Sequence, residues 1–127
     1  MTAPNMRDRL RNLRQRGGRL VVIDPYRTRT AQEADEHHFI RPGADAHFLF
    51  ALIHTLFAEN LVNLGKLGEH SVGLEQVRTL ARDFAPEYVA DTCGIEPETI
   101  KRLARDFAAA PRAAAYGRIG TCAQTFG

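Results

Sequence analysis

One short apolar run, Leu20 to Ile23, constrains the fold more than any other feature of this chain. Its residues are mostly β-branched, and turn residues bound it, because two glycines precede it and Asp24-Pro25 follows it. Such a run predicts a strand that is buried on both faces, as in parallel sheets. With 127 residues in total, the chain is long enough for one domain with a single core.

Apolar residues at helical spacing dominate the rest of the chain. The spacing predicts helices over 6–16, 45–57, 74–84 and 97–110, with a short helical turn over 86–89. We expect Asp45 to be the N-cap of the second helix, and the broad apolar face of that helix to pack against a sheet. Weaker strand candidates lie at 38–40 and 113–116. Strands that interleave with helices favour an α/β layer fold with a parallel sheet.

The charge, cysteine and apolar content of the chain limit which partners and which cellular setting we expect. The formal net charge is +2 with the charges well mixed, so no polycationic surface points to nucleic acid or to an anionic membrane. Cys93 and Cys122 form no C-x-x-C pair, which argues against a disulfide framework and favours a reducing, cytosolic setting. No stretch approaches the roughly 20 apolar residues that span a bilayer, and residues 1–9 lack the apolar core of a secretion signal.

Asp24 is the strongest single candidate for a binding residue. It follows the buried strand directly, and in parallel α/β folds ligands bind at the carboxyl ends of strands. A carboxylate there can accept hydrogen bonds from both hydroxyls of a ribose. The alternative is a turn aspartate that binds its own backbone before Pro25.

The loop after Asp24 carries donors suited to an anion. Tyr26-Arg27-Thr28-Arg29-Thr30 offers two guanidinium groups and two hydroxyls, which are groups that hold phosphate oxygens. The alternative is a solvated basic loop whose arginines pair with Glu33 or Asp35.

A second candidate segment, Arg41-Pro42-Gly43-Ala44-Asp45, ends the next strand candidate. Gly43 permits close backbone approach, and one carboxylate can accept from both the ring N–H and the amine of guanine, a donor pair that adenine lacks. We therefore expect Asp24 and Asp45 to meet one purine nucleoside, although Asp45 as a mere helix cap remains an alternative. The chain has no G-x-G-x-x-G fingerprint and no P-loop.

The histidines and cysteines offer little further chemistry. His47 and His54 would share a helical face, but no cysteine or carboxylate completes a ligand set, so we predict no metal site. Neither Cys93 nor Cys122 has a histidine nearby in sequence, so neither is predicted to be a nucleophile.

Several segments in order resemble the molybdopterin oxidoreductase family, which includes formate dehydrogenases, nitrate reductases and dimethyl sulfoxide reductases. They are RGGRLVVIDP at 16–25, TRTA at 28–31, AD at 34–35, RPGAD at 41–45 and YGRIG at 116–120. The likeness continues through the two longer predicted helices after Asp45, so it covers nearly the whole chain.

The resemblance implies a Rossmann-like three-layer domain with a mostly parallel sheet flanked by helices, of which residues 1–127 form a single partial domain. It also implies a bis(molybdopterin guanine dinucleotide) cofactor with molybdenum or tungsten. By comparison with the family, the segment from Asp24 to Thr28 should border the ribose and phosphates. The segment from Gly43 to Asp45 should meet the guanine. The implied cofactor-binding residues are Asp24, Pro25, Tyr26, Arg27, Thr28, Gly43, Ala44, Asp45 and Gly120.

The chain departs from the family pattern in places. Ala44 stands where many relatives have threonine, and Ala123 or Gln124 would hold the place of a glutamine that commonly follows the glycine matching Gly120. The amino-terminal iron-sulfur region, the residue that ligates the metal and the carboxyl-terminal cofactor domain have no counterpart here. We therefore expect an inactive fragment whose partners are the missing domains of its own polypeptide and electron-transfer subunits, and which self-associates through exposed interdomain surface.

Two other classes of function compete with this interpretation. Residues 89–105, with Thr92-Cys93-Gly94-Ile95 between two helices, resemble a helix-turn-helix that would bind DNA. The second helix begins with Glu96-Pro97-Glu98, and its carboxylates would enter a groove lined by phosphates, which argues against DNA. The other alternative is a structural or assembly module without a ligand.

Overall fold

A computed structural model describes residues 5–123, and the chain divides between Ile40 and Arg41 into two compact units. We call them unit 1 and unit 2. Unit 1 contains helix α1 (Met6–Gln15), strand β1 (Val21–Ile23), helix α2 (Arg29–Gln32) and strand β2 (Glu36–His38). Unit 2 contains helices α3 (Asp45–Ala58), α4 (Leu74–Ala81), α5 (Pro86–Cys93), α6 (Pro97–Ala109) and α7 (Ile119–Cys122), with a 3-10 helix at Gly65–His70.

The predicted helix over 6–16 is confirmed as α1, and the glycine pair ends it. The amide of Gly18 donates to the carbonyl of Leu13 at 3.0 Å and the amide of Gly17 donates to that of Arg14 at 2.9 Å. This pair of bonds is the Schellman arrangement, and Gly17 has the left-handed φ of +77° that it requires. The chain therefore leaves α1 in a fixed direction toward β1.

The two strands of unit 1 pair in parallel, with Val21 opposite Glu36 and Ile23 opposite His38. The predicted strand at 20–23 is confirmed within one residue. The second strand lies two residues earlier than the expected 38–40, because the amides of Asp35 and Glu36 already bond to the carbonyl of Leu20. The prediction of burial on both faces is wrong for the described chain, since all six strand residues are half-buried.

In unit 2, α3 is the central element and packs against α4, α5 and α6. The helix is confirmed, but the expectation that a sheet covers its broad apolar face is wrong, because helices cover that face within the unit. Its buried residues are Phe48, Ala51 and Thr55. The Thr55 hydroxyl donates to the carbonyl of Ala51 at 3.0 Å, so this buried polar group is satisfied.

Both α5 and α6 begin with proline at the first helical turn, where a missing amide costs nothing. Helix α6 confirms the prediction over 97–110. Helix α5 runs beyond Val89, where the predicted turn ended, because Cys93 continues its buried face by one helical turn. Gly94 then ends α5 with a left-handed φ of +77°.

The predicted strand at 113–116 is wrong. Residues 113–118 have no regular structure and are exposed, in keeping with the poor strand propensity of alanine. The short helix α7 follows this stretch. Within residues 5–123 no helix has the length and apolar character of a membrane span. The described chain is thus a helix-dominated α/β structure with a two-stranded parallel sheet.

Candidate functional site

Asp24 lies at the carboxyl end of β1, as predicted. Its amide donates to the carbonyl of His38 at 3.2 Å, which extends the ladder by one bond. Its carboxylate Oδ1 accepts from the amide of Tyr26 at 2.8 Å, so the turn-forming role considered for this residue is present. Among residues 5–123 the second oxygen, Oδ2, has no hydrogen-bond partner. One carboxylate therefore both shapes the turn and keeps an acceptor for a ligand.

His37 also supports Asp24, and sequence reasoning did not identify it. Its Nε2 donates to the carbonyl of Asp24 at 3.1 Å, and its ring meets that of Phe39 edge to face with centroids 4.4 Å apart. His37 and Asp24 are 13 residues apart in sequence. The parallel register brings them together, because it places His37 opposite Val22. Only a correct prediction of strand β2 and its register could have indicated from the sequence that His37 contacts Asp24.

The loop after Asp24 is largely open to solvent. Pro25, Tyr26 and Arg27 are exposed, and 74% of Tyr26 is accessible. Thr28 is the N-cap of α2, and its hydroxyl oxygen accepts from the amide of Ala31 at 3.3 Å. Its hydroxyl hydrogen still has a free direction in which to donate.

The alternative in which the basic loop pairs with Glu33 or Asp35 is wrong. Arginines of α1 take both carboxylates, at 3.3 Å for Glu33 and 3.2 Å for Asp35. Within the part of the chain that the structure describes, neither Arg27 nor Arg29 makes a side-chain hydrogen bond or an ion pair. The loop thus carries two guanidinium groups available to an anion.

The second predicted segment lies in unit 2. Gly43 is exposed with a left-handed φ of +86°, and a Cβ built there would meet nothing within 4 Å. Ala44 is 3% exposed, so its methyl group serves packing. Asp45 is half-buried at the first position of α3. The expectation that it is the N-cap is wrong by one residue, since Ala44 holds that position without a side-chain cap.

Gly120, the last predicted site residue, is an exposed position inside α7, and a Cβ there would also meet nothing within 4 Å. Ala123 follows the helix and is exposed. Gln124, the other position considered for the family glutamine, lies outside the described residues.

His47, His54 and the two cysteines show no arrangement typical of a catalytic or metal site in residues 5–123. His54 Nδ1 donates to the carbonyl of Ala81 at 2.9 Å, and the ring of His47 packs on Phe84. Residues 5–123 contain no group of three or more side chains that could hold a metal ion. Both cysteines are free thiols, with Cys93 buried and Cys122 exposed. Burial raises the pKa of the Cys93 thiol, which lowers its reactivity.

The clefts of the two units do not coincide with the predicted residues. A cleft of about 540 Å³ in unit 1 is lined by α1, Glu33 and Asp35. A smaller one of about 240 Å³ in unit 2 lies between α3 and α4, beside His54. The predicted cofactor-binding residues line neither of these two clefts.

The helix-turn-helix alternative has the expected local shape, since residues 94–96 join α5 to α6. The start of α6 is nevertheless acidic. The ammonium of Lys101 lies 2.5 Å from a carboxylate oxygen of Glu87 and 2.8 Å from one of Glu98. The hydrogen bonds that the ammonium donates to Glu87 and Glu98 raise the pKa of Lys101, so its charge is paired with these carboxylates. This surface would repel a DNA backbone.

Known proteins resemble the chain over most of its length. It is 29% identical over 124 residues to the alpha subunit of the F420-dependent formate dehydrogenase of Methanocaldococcus jannaschii, covering 98% of this chain and 18% of that subunit. It is 31% identical over 105 residues to the molybdopterin-containing subunit of thiosulfate reductase from Salmonella typhimurium, covering 82% of this chain and 14% of that subunit.

A solved structure is also similar. Acetylene hydratase from Pelobacter acetylenicus superposes with a TM-score of 0.84 and 27% identity, over 94% of this chain and 16% of that protein. A scan against models of protein families finds no match. The chain spans less than a fifth of the length of each of these relatives. On the strength of these similarities, the chain belongs to the molybdopterin oxidoreductase family.

Proposed function

We propose that this chain holds the guanosine part of a molybdopterin guanine dinucleotide within a molybdenum or tungsten oxidoreductase, and that it is not catalytic alone. One observation carries the proposal. The exposed loop at the carboxyl end of β1 combines a carboxylate that keeps one oxygen free with guanidinium groups that have no partner in residues 5–123. Family membership indicates which ligand such a loop would meet.

The loop from Asp24 to Thr28 suits the ribose and phosphates. The free Oδ2 of Asp24 can accept from ribose hydroxyls, and the ionised acceptor strengthens those bonds. Arg27 and the Thr28 hydroxyl supply donors to phosphate oxygens, while Pro25 and Tyr26 border the ligand. Held by His37 and by its own turn, Asp24 presents the oxygen from a fixed backbone.

The segment from Gly43 to Asp45 suits the guanine edge. The open space around Gly43 suits a planar ligand, because a base could approach the backbone there without meeting a side chain. The Asp45 carboxylate is the acceptor that would distinguish guanine from adenine. Ala44 contributes its backbone, and Gly120 is assigned to the same cofactor on the resemblance alone.

Within the parent enzyme, the bound metal centre would supply the redox chemistry and this chain would anchor the nucleotide end. We further propose the bis form of the cofactor, an iron-sulfur cluster outside these residues and a cytoplasmic enzyme. In that parent the two-stranded sheet would be part of a larger, mostly parallel sheet in a Rossmann-like three-layer domain. The remaining domains and electron-transfer subunits would cover the exposed surface, through which the chain alone would self-associate.

Calorimetric titration with GDP and ADP tests the proposal. We expect GDP to bind more tightly than ADP, and Asp45→Asn to remove that preference. The amide keeps the shape of the side chain but cannot accept two hydrogen bonds as an ion. Bonds to charged groups contribute about 1.5–3 kcal/mol, so GDP affinity should fall about tenfold or more while ADP affinity is unchanged.

Asp83→Asn is the matched control, because Asp83 is an exposed aspartate of unit 2 that does not belong to the segment. It should leave both affinities as they are. Equal affinity for GDP and ADP contradicts the proposal. Salt-sensitive binding to duplex DNA would support the helix-turn-helix alternative instead, and binding to neither would support a module without a ligand.

A further inference from the structure

Arg41 is the residue at which the predicted guanine segment meets the end of α5. Its backbone amide donates to the carbonyl of Cys93 at 2.8 Å, and its guanidinium Nη1 donates to the carbonyl of Asp91. Both carbonyls belong to the last turn of a helix, where backbone acceptors have no partner within the helix. Arg41 therefore caps α5 from a position 50 residues earlier in the chain.

Gly94 makes this contact possible. Its φ of +77° turns the chain away from α5, and a Cβ built there would lie 3.2 Å from Cγ and 3.5 Å from Nε of Arg41. The aliphatic part of Arg41 thus occupies the space that a side chain at position 94 would need. The α5 end beneath the contact is well fixed, because Cys93 is fully buried.

The contact also fixes the segment that follows Arg41. The Arg41 carbonyl accepts from the amide of Ala44 at 3.2 Å, which closes a turn around Pro42 and Gly43. Ala44 is buried and is the N-cap of α3. The turn is consequently tied at one end to α5 and at the other to α3, and α3 and α5 pack on each other.

We propose that Arg41 is a positioning residue for guanine recognition. By its bonds to the last turn of α5, it would hold the backbone of Gly43–Asp45 in the conformation that binds the base. This inference rests on the proposed function. Arg41 itself need not touch the nucleotide, because the proposed effect passes through the α5 carbonyls to which its backbone amide and guanidinium donate. Specificity for the base would then depend on a bond to a helix outside the binding segment.

The test compares Arg41→Ala, Arg41→Lys and the control Arg112→Ala in the full chain. Arg112 is an exposed arginine in the irregular stretch after α6. With GDP and ADP as ligands, we expect Arg41→Ala to reduce the ratio of the two affinities about tenfold. Arg41→Lys, which can still donate to one carbonyl, should restore most of the ratio, and Arg112→Ala should not change it. Retention of the full ratio in Arg41→Ala overturns the inference.

Hydrogen exchange on the nucleotide-free chain separates this inference from the proposed function. We expect the amides of Arg41 and Ala44 to exchange at least tenfold faster in Arg41→Ala, while amides in the middle of α6 keep their rates. Unchanged exchange at Arg41 and Ala44 overturns the positioning role whatever the nucleotide result. Faster exchange without any GDP preference in the wild-type chain overturns the proposed function and leaves the cap on α5 standing.

Discussion

Units 1 and 2 are built on different physical principles. In unit 2, α3 packs against helices α4, α5 and α6, and Ile100, Cys93 and Ala51 are fully buried. Among residues 5–40 only Ala31 and Ile40 are buried, and the strand residues are half-buried. Unit 1 is instead organised by a short parallel ladder, a Schellman turn and surface ion pairs. The loop that we propose to bind the ribose and phosphates therefore lies on the less buried of the two units.

Truncation of the unit 2 core should give the largest effect. Ile100→Ala removes a side chain that is 0% exposed on α6, where α6 packs against α3. The lost burial and the cavity should lower the free energy of unfolding by about 2–5 kcal/mol. Denaturant unfolding of the full chain, followed by far-ultraviolet circular dichroism, measures the change.

Ile119→Ala is the matched control, since the same side chain is 82% exposed there. It should change stability by less than about 0.5 kcal/mol. Equal losses of unfolding free energy in Ile100→Ala and Ile119→Ala would show that the packed core is not the source of stability in unit 2.

Strain at the end of α5 should have an intermediate effect. Gly94→Ala places a side chain at φ +77° and against Arg41, so it should cost about 1–2 kcal/mol from the left-handed backbone. Gly68→Ala is the control, because its Cβ would meet only Leu64 at 3.7 Å and its φ is ordinary. Thermal unfolding of both variants tests the difference, and a neutral Gly94→Ala would argue that the Arg41 contact does not constrain unit 2.

An exposed ion pair should contribute the smallest effect. Arg105 donates to both carboxylate oxygens of Glu59, at 2.8 and 2.7 Å, joining the end of α3 to α6. These bonds lower the pKa of Glu59 below its ordinary value of 4.5. The stabilisation is complete above pH 4.5 and is lost as the pH falls through the lower pKa of the folded state.

Glu59→Gln should therefore lose less stability than the wild-type chain when the pH is lowered below 4.5. Unfolding midpoints measured at several acidic pH values give the comparison, with Glu69→Gln, an exposed glutamate of the 3-10 helix, as the control. Parallel pH curves for wild type and Glu59→Gln would show that the pair contributes nothing measurable.

Local patterns in the sequence predicted most of the helices. Pro97 followed by apolar residues at helical spacing identified α6, and the glycine pair at 17–18 identified the end of α1. We predicted that a sheet covers the apolar face of α3, but helices cover it in unit 2. A broad apolar face indicates burial and does not distinguish a helical partner from a sheet. Strand β2 was displaced, because Glu36-His37-His38 has no apolar pattern and its start depends on the Leu20 carbonyl.

The candidate site was predicted to a similar extent. The position of Asp24 at a strand end follows from local sequence, whereas the left-handed φ of Gly43 was not predicted. The support from His37 and the cap that Arg41 places on α5 depend on residues 13 and 50 positions apart. No periodicity or motif contains such long-range pairs, so they became visible only in three dimensions.

Chemical-shift mapping on the ¹⁵N-labelled chain during titration with GDP would show directly which residues contact the nucleotide. We predict that amides in Asp24–Thr28 and in Gly43–Asp45 shift together with one dissociation constant, and that ADP moves the first segment without the second. Shifts confined to α5 and α6, or shifts in neither segment at saturating GDP, would contradict the assignment of this chain as the guanosine holder.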